Sequence, residues 1–165
     1  MIFSFQVCIS LTGSLCSHVT RMLLKNSSCD PNLADVHGST ALMYACKDKD
    51  KNDAVRILAR NHQCDTNRAD EKGNTALIHA VVNDNTEAVH ILLVCPRVRC
   101  KVDVNIQNMA GRTALDMAIE RRNVTCCHLL VKRAEADISR VQDTGKLYAL
   151  LSKDIPSSVN LNTYQ

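Results

Sequence analysis

The sequence predicts an all-α helical solenoid of about three full repeats plus a partial N-terminal repeat, and three observations lead there. The segment Ala34-Asp35-x-x-Gly38-x-Thr40-Ala41-Leu42 returns as Ala69-Asp70-x-x-Gly73-x-Thr75-Ala76-Leu77 and, more loosely, around Gly111-x-Thr113-Ala114-Leu115. A second marker runs in phase with it: Cys29-Asp30-Pro31-Asn32, Cys64-Asp65-Thr66-Asn67, Val102-Asp103-Val104-Asn105 and Ala136-Asp137-Ile138-Ser139. Two independent markers sharing one period make coincidence a poor explanation, and a period of this length is the signature of stacked supersecondary units. Composition agrees, since aromatics make up only 3% of the chain, Trp is missing, and small apolar residues suit closely packed helices.

The elements follow in chain order. Residues 1–14 read as a degenerate or displaced N-terminal segment: they are rather apolar, but no Lys or Arg precedes Arg21, so the basic region of a secretory signal is missing. Residues 19–25 and the marker closing at Asn32 read as the second helix and closing turn of a first repeat. Its first helix would fall near residues 5–12, with Val7 and Ser10 in the Leu and Ala positions. Either that helix is degenerate or the chain starts inside a longer array. Residues 15–139 form the array proper.

In each full unit the glycine permits the positive φ of a tight turn, and Thr40, Thr75 or Thr113 stands where an N-cap hydroxyl satisfies an orphan N–H. First helices are expected over residues 41–47, 76–82 and 114–120, with Ala45, Ala80 and Ala118 allowing close approach. Second helices are expected over about 53–60, 86–94 and 124–132. Val55, Ile57 and Leu58 match Val89, Ile91 and Leu92, the spacing of an apolar helix face. Such a pair cannot bury its apolar faces alone; stacking on neighbours completes the core. Pro96 should end the helix before the insertion that lengthens one glycine spacing from 35 to 38 residues. Residues 140–165 leave the pattern as a C-terminal extension, with a short helix near 145–153 and a polar, partly disordered tail.

The repeat resembles the ankyrin repeat, whose common form runs Asp-x-x-Gly-x-Thr-Pro-Leu-His-x-Ala and closes with Gly-Ala-Asp-x-Asn. The resemblance covers about residues 15–139. Ala stands for Pro at 41, 76 and 114, and Met43, Ile78 and Asp116 stand where the family often has His, so its Thr-to-His hydrogen bonds are not available in that form. The resemblance implies a protein-binding array whose partners lie on a concave surface of turn tips and first-helix faces. Carried over by position, the exposed candidates are Val36, His37, Ser39 and Lys47; Glu71, Lys72, Asn74 and Val82; and Met109, Ala110, Arg112 and Glu120. It also implies that Asn32, Asn67 and Asn105 match asparagines hydroxylated in this family by an iron- and 2-oxoglutarate-dependent enzyme, against the simpler reading of a side chain that braces a turn.

Chemistry of other kinds finds little support. No nucleophile elbow, phosphate-binding glycine loop or paired catalytic carboxylates occurs, which argues against an enzyme and a small-molecule substrate. Nine scattered cysteines without a CxxC pair read as free thiols in a reducing, intracellular setting. His18, His90 and His128 recur because the repeat recurs, and His79, Cys127-His128 and His62-Gln63-Cys64 each lack the further ligands of a metal site. No cofactor and no metal are expected. The formal charge of +3 is too small to argue for nucleic acid, although Arg97, Arg99 and Lys101 offer a local attachment point for an acidic partner segment. No apolar run reaches the ~18 residues that span a bilayer. The reading is thus a scaffold or adaptor with an unidentified protein partner, set against a structural fragment of a larger array without a ligand of its own.

Overall fold

Seven α-helices are bounded among the described residues of this computed structural model, which covers 21–22, 30–94, 101–134 and 136–152. They are α1 (Ala41–Lys47), α2 (Asn52–Ala59), α3 (Ala76–Val82), α4 (Thr86–Val94), α5 (Ala114–Glu120), α6 (Val124–Ala134) and α7 (Thr144–Ser152). The expected N-terminal segment and first-repeat helices within residues 1–20 and 23–29, the insertion with Pro96, Arg97 and Arg99, and the tail beyond 152 lie outside the described residues.

Each first helix starts because a threonine hydroxyl takes an N–H that the helix itself cannot bond. Thr40 Oγ1 accepts from Met43 N at 3.4 Å, Thr75 Oγ1 from Ile78 N at 3.3 Å, and Thr113 Oγ1 from Asp116 N at 3.3 Å. The reciprocal bond to the threonine, for which no histidine is present, is made by other means in two of the three units. Thr40 N–H points to Met43 Sδ at 3.4 Å, while Thr113 N and Oγ1 both donate to Asp116 Oδ2 at 2.9 Å. Two of the second helices are capped by asparagines instead, Asn85 Oδ1 accepting from Ala88 N and Asn123 Oδ1 from Cys126 N, while α2 follows directly on a 3-10 turn at Lys49–Lys51. Asn85 Nδ2 also donates to the carbonyls of Cys46 and Asp48 in the preceding unit, so one buried side chain both starts a helix and holds two units together.

The helices form two layers. α1, α3 and α5 stack in one row, α2, α4 and α6 in the other, and each first helix packs on its own second helix. The core runs continuously between the rows, with Leu42, Leu77 and Leu115 each 1% exposed and Ala45, Ala80 and Ala118 at 0%. Burying such a leucine is worth roughly 1.5–3 kcal/mol. Cys46, Cys64, Cys126 and Cys127 are buried free thiols, and desolvation raises the thiol pKa of Cys46 and pushes that of Cys127 up to about 11.

The chain after α6 does not simply leave the array. Asp137 begins a 3-10 turn at Ile138–Arg140, and α7 then packs against α6 and α5, burying Leu147 and Leu151. Asp116 Oδ1 accepts from Gln142 N at 2.9 Å and fastens this segment to the third unit.

A candidate recognition surface on the turn tips

The tips are built by one carboxylate or amide per unit. Asp35 Oδ1 accepts from His37 N and Ser39 N, Asp70 Oδ1 from Lys72 N and Asn74 N, and Asn108 Oδ1 from Ala110 N and Arg112 N, all at 2.7–3.0 Å. Adjacent tips are joined through the backbone, where Glu71 N donates to His37 O at 3.1 Å and Met109 N to Lys72 O at 3.0 Å. The glycines are required at this junction. Gly73 has φ +76°, and a Cβ there would sit 2.8 Å from Met109 N, too close for any side chain.

Behind the tips, the second carboxylate oxygen finds a partner on the first helix. Tyr44 Oη donates to Asp35 Oδ2 at 2.7 Å, and His79 Nε2 lies 2.8 Å from Asp70 Oδ2. Desolvation would raise both carboxyl pKa values, but the hydrogen bonds from Tyr44, Ser39 and His37 to Asp35, and from Asn74, His79 and Lys72 to Asp70, outweigh it and hold them below the usual range. His79 is lowered, first by its own burial and then by Lys47, which Asp70 only partly offsets. The pair is therefore a neutral imidazole donating Nε2–H to a carboxylate rather than an ion pair.

The candidates fall on this surface unevenly. Val36 is 91% and Met109 80% exposed, and His37, Glu71, Lys72, Ala110 and Glu120 are exposed as well. Lys47, Val82, Asn74 and Arg112 are half-buried. Lys47 lies over the Tyr44 ring at 4.7 Å, Asn74 accepts from Asn108 Nδ2, and Arg112 pairs with Glu120. Ser39 corrects the expectation of an exposed residue: it is 4% exposed, because the Asp35 carboxylate draws its N–H into the turn. His37 Nδ1 contacts Glu71 Oε1 at 3.1 Å, linking the first two tips.

The three closing asparagines bridge units. Asn32 Nδ2 donates to Gln63 O and its Oδ1 accepts from Asp65 N; Asn67 does the same with Lys101 O and Asp103 N; Asn105 Oδ1 accepts from Asp137 N. Among the described residues no group of three His, Cys, Asp or Glu side chains converges as metal ligands would, and no helix is long and apolar enough to cross a membrane.

Sequence reasoning missed the Asn85 and Asn123 caps, the Asp116 clamp and the packing of α7. The Leu147, Leu150 and Leu151 spacing carried the signal for the last of these.

Comparison with known proteins agrees with this geometry. A family description reading "Ankyrin repeats (3 copies)" matches residues 7–108 and 73–142. A solved structure described as the ankyrin repeat domain of Bcl-3, "a unique member of the IkappaB protein family", matches with a TM-score of 0.67 at 23% identity, covering 87% of this chain and 68% of that one. At that identity the likeness is one of fold. Among curated proteins no match is found.

Proposed function

The chain belongs to the ankyrin-repeat family, and from that premise we propose that it is a scaffold or adaptor whose turn-tip and first-helix surface binds a protein partner. Arrays of this kind generally mediate protein–protein interaction and are a non-enzymatic type of module. The observation that carries the proposal is a division of labour. The Thr-Ala-Leu scaffold repeats and is buried, whereas the residues at the two tip offsets, Val36-His37, Glu71-Lys72 and Met109-Ala110, differ in every unit and are all exposed. In a solenoid each unit is stabilised by its own core and its neighbours, so exposed tips vary without loss of the fold.

A variant with Glu71, Lys72 and Arg112 replaced together by Ala tests this. It should keep the parental unfolding midpoint and capture its protein partner from cell extract at least about tenfold more weakly, a change of about 1.4 kcal/mol in binding. Replacing His90 and Lys132, exposed on the second-helix row, should leave capture intact. Loss with the second-row variant and retention with the tip variant would place recognition on the opposite face. As part of the same reading, Asn32, Asn67 and Asn105 are acceptors for hydroxylation. The side chains are engaged in the next unit, so the reaction requires local opening of a closing turn.

A further inference from the structure

A cleft of about 560 Å³ lies between the end of α5 and α7, lined by Ile119, Glu120, Arg122, Lys146, Ala149 and Leu150. This is within the ~300–1,000 Å³ typical of ligand clefts. A smaller recess of about 270 Å³ shares Ile119, Glu120 and Lys146 with it and runs on to Arg112, so the cleft is continuous with the tip surface. No Gly-x-Thr-Ala-Leu turn precedes α7. The last helix turns Leu147 and Leu151 into the core and leaves Leu150 half-buried and Ala149 exposed along the cleft.

The charges around it are unequally matched. Glu120 is paired with Arg112, and Lys146 with Asp143 at 2.8 Å. Arg122 is exposed and has no acidic partner among the described residues. Its backbone is also costly: φ is +54°, a left-handed conformation that disfavours side chains other than those of Gly, Asn and Asp. Asp84 holds the equivalent position in the preceding unit with φ +52°, but its carboxylate is used internally, accepting from Asn123 Nδ2 at 3.2 Å and facing Arg121 at 3.6 Å. The left-handed turn itself closes α5, with Arg122 N donating to Ile119 O and Asn123 N to Ala118 O, so it is only the Arg122 side chain that has no such internal use among the described residues.

We propose that this cleft receives an apolar side chain of a partner polypeptide with a carboxylate beside it, the apolar group resting on Ile119, Ala149 and Leu150 and the carboxylate pairing with Arg122. The proposal rests on the reading of the chain as a protein-binding array and names the chemistry of one anchor. One unmatched guanidinium beside an apolar floor suits one carboxylate, whereas a nucleic acid would call for several unmatched cations.

The test is selection of random linear heptapeptides on the full chain, followed by anisotropy titration of the selected peptides. Selected peptides should carry an apolar residue within two positions of Asp or Glu. Their affinity should fall at least fivefold in Arg122→Gln and in Leu150→Glu, and hold in His90→Ala, with circular dichroism melting to confirm that the variants fold. Peptides lacking an acid, or binding Arg122→Gln as tightly as the parent, overturn the proposal. If such peptides are instead lost in Glu71→Ala/Lys72→Ala, the array still binds protein segments and only the cleft assignment falls. If no peptide is selected, the cleft proposal falls while partner capture from extract still decides the array's binding role, and a concentration-dependent dimer abolished by Leu150→Glu would then put a second copy in the cleft.

Discussion

His79 and Tyr44 occupy the same place in successive first helices and hold the equivalent turn carboxylate with different chemistry, which adds a histidine-range pH dependence to one unit that the other lacks. The Asp-x-x-Gly pattern made the turn legible, but the partner nine residues on was not, because Tyr and His share no property except a polar tip on a ring. At Met117, the third position of the series, the thioether offers no strong donor, and Asn108 bonds to Asn74 instead. His79 has a folded pKa lowered by burial and by Lys47, with Lys72 adding to the effect and Asp70 opposing it. The unfolded chain therefore binds the proton more readily, and unfolding free energy rises with pH across the interval where only the unfolded imidazole is charged. The stabilisation is fully present above the ordinary histidine value of about 6.5 and is lost as pH falls from there toward the lowered folded value. His79→Gln keeps an N–H donor for Asp70 and removes the titration. Denaturant midpoints measured between pH 7.5 and 5.5 should decline less steeply in the variant than in the parent; parallel curves would show that His79 is not the source. The depressed carboxyls of Asp35 and Asp70 act lower, their stabilisation being present above the usual carboxylate range and lost as pH falls below it.

At the scale of elements, the first helices were legible to the residue because three features coincide at their start: a glycine with positive φ, a threonine cap and an immediate apolar run. The second helices were placed less sharply, with α2 beginning at Asn52 and α6 continuing to Ala134, since their caps are asparagines or a 3-10 turn at Lys49–Lys51 and carry no recurring motif. Asp116 was read only as a departure from a family histidine, yet it joins two elements. One oxygen takes both Thr113 donors and the other takes Gln142 N, at the point where α7 is fastened to α5. It is 4% exposed, so water cannot replace these bonds readily. Asp116→Ala leaves three donors without an acceptor and should cost on the order of 2–3 kcal/mol, the range for buried groups bonded to a charge. Hydrogen exchange should show the loss concentrated in α5 and α7, with α1 and α2 near parental protection. Equal acceleration in all helices would mean that Asp116 stabilises the array as a whole and does not act as a local clasp.

Over the whole molecule, repetition is what made residues 30–134 legible, and where repetition stops, at the cleft beside α7, sequence reasoning had no second copy to compare. The same linearity governs how the protein should come apart. Each unit touches only its neighbours, so stability is approximately a sum of unit terms and interface terms. The interface between the first and second units includes the two Asn67 bonds, Nδ2 to Lys101 O at 2.9 Å and Oδ1 from Asp103 N at 2.8 Å, together with the backbone bond from Glu71 N to His37 O. Asn67→Ala removes the first two without touching the core of either unit, since the side chain lies at a closing turn. At about 0.5–1.5 kcal/mol for each bond, the interface should weaken by roughly 1–3 kcal/mol. Weakening an interface in a linear array lowers cooperativity as well as stability, because units on its two sides become freer to open separately. The parent should therefore exchange amide protons in α1–α2 and α3–α6 with similar free energies of opening, and Asn67→Ala should separate the two groups. The same substitution at Asn32, whose bonds reach Gln63 and Asp65, should leave α1–α2 and α3–α6 coupled as in the parent. A uniform drop across all six helices in Asn67→Ala would show that the asparagine acts within its own turn and that coupling between the units runs through the helix rows alone.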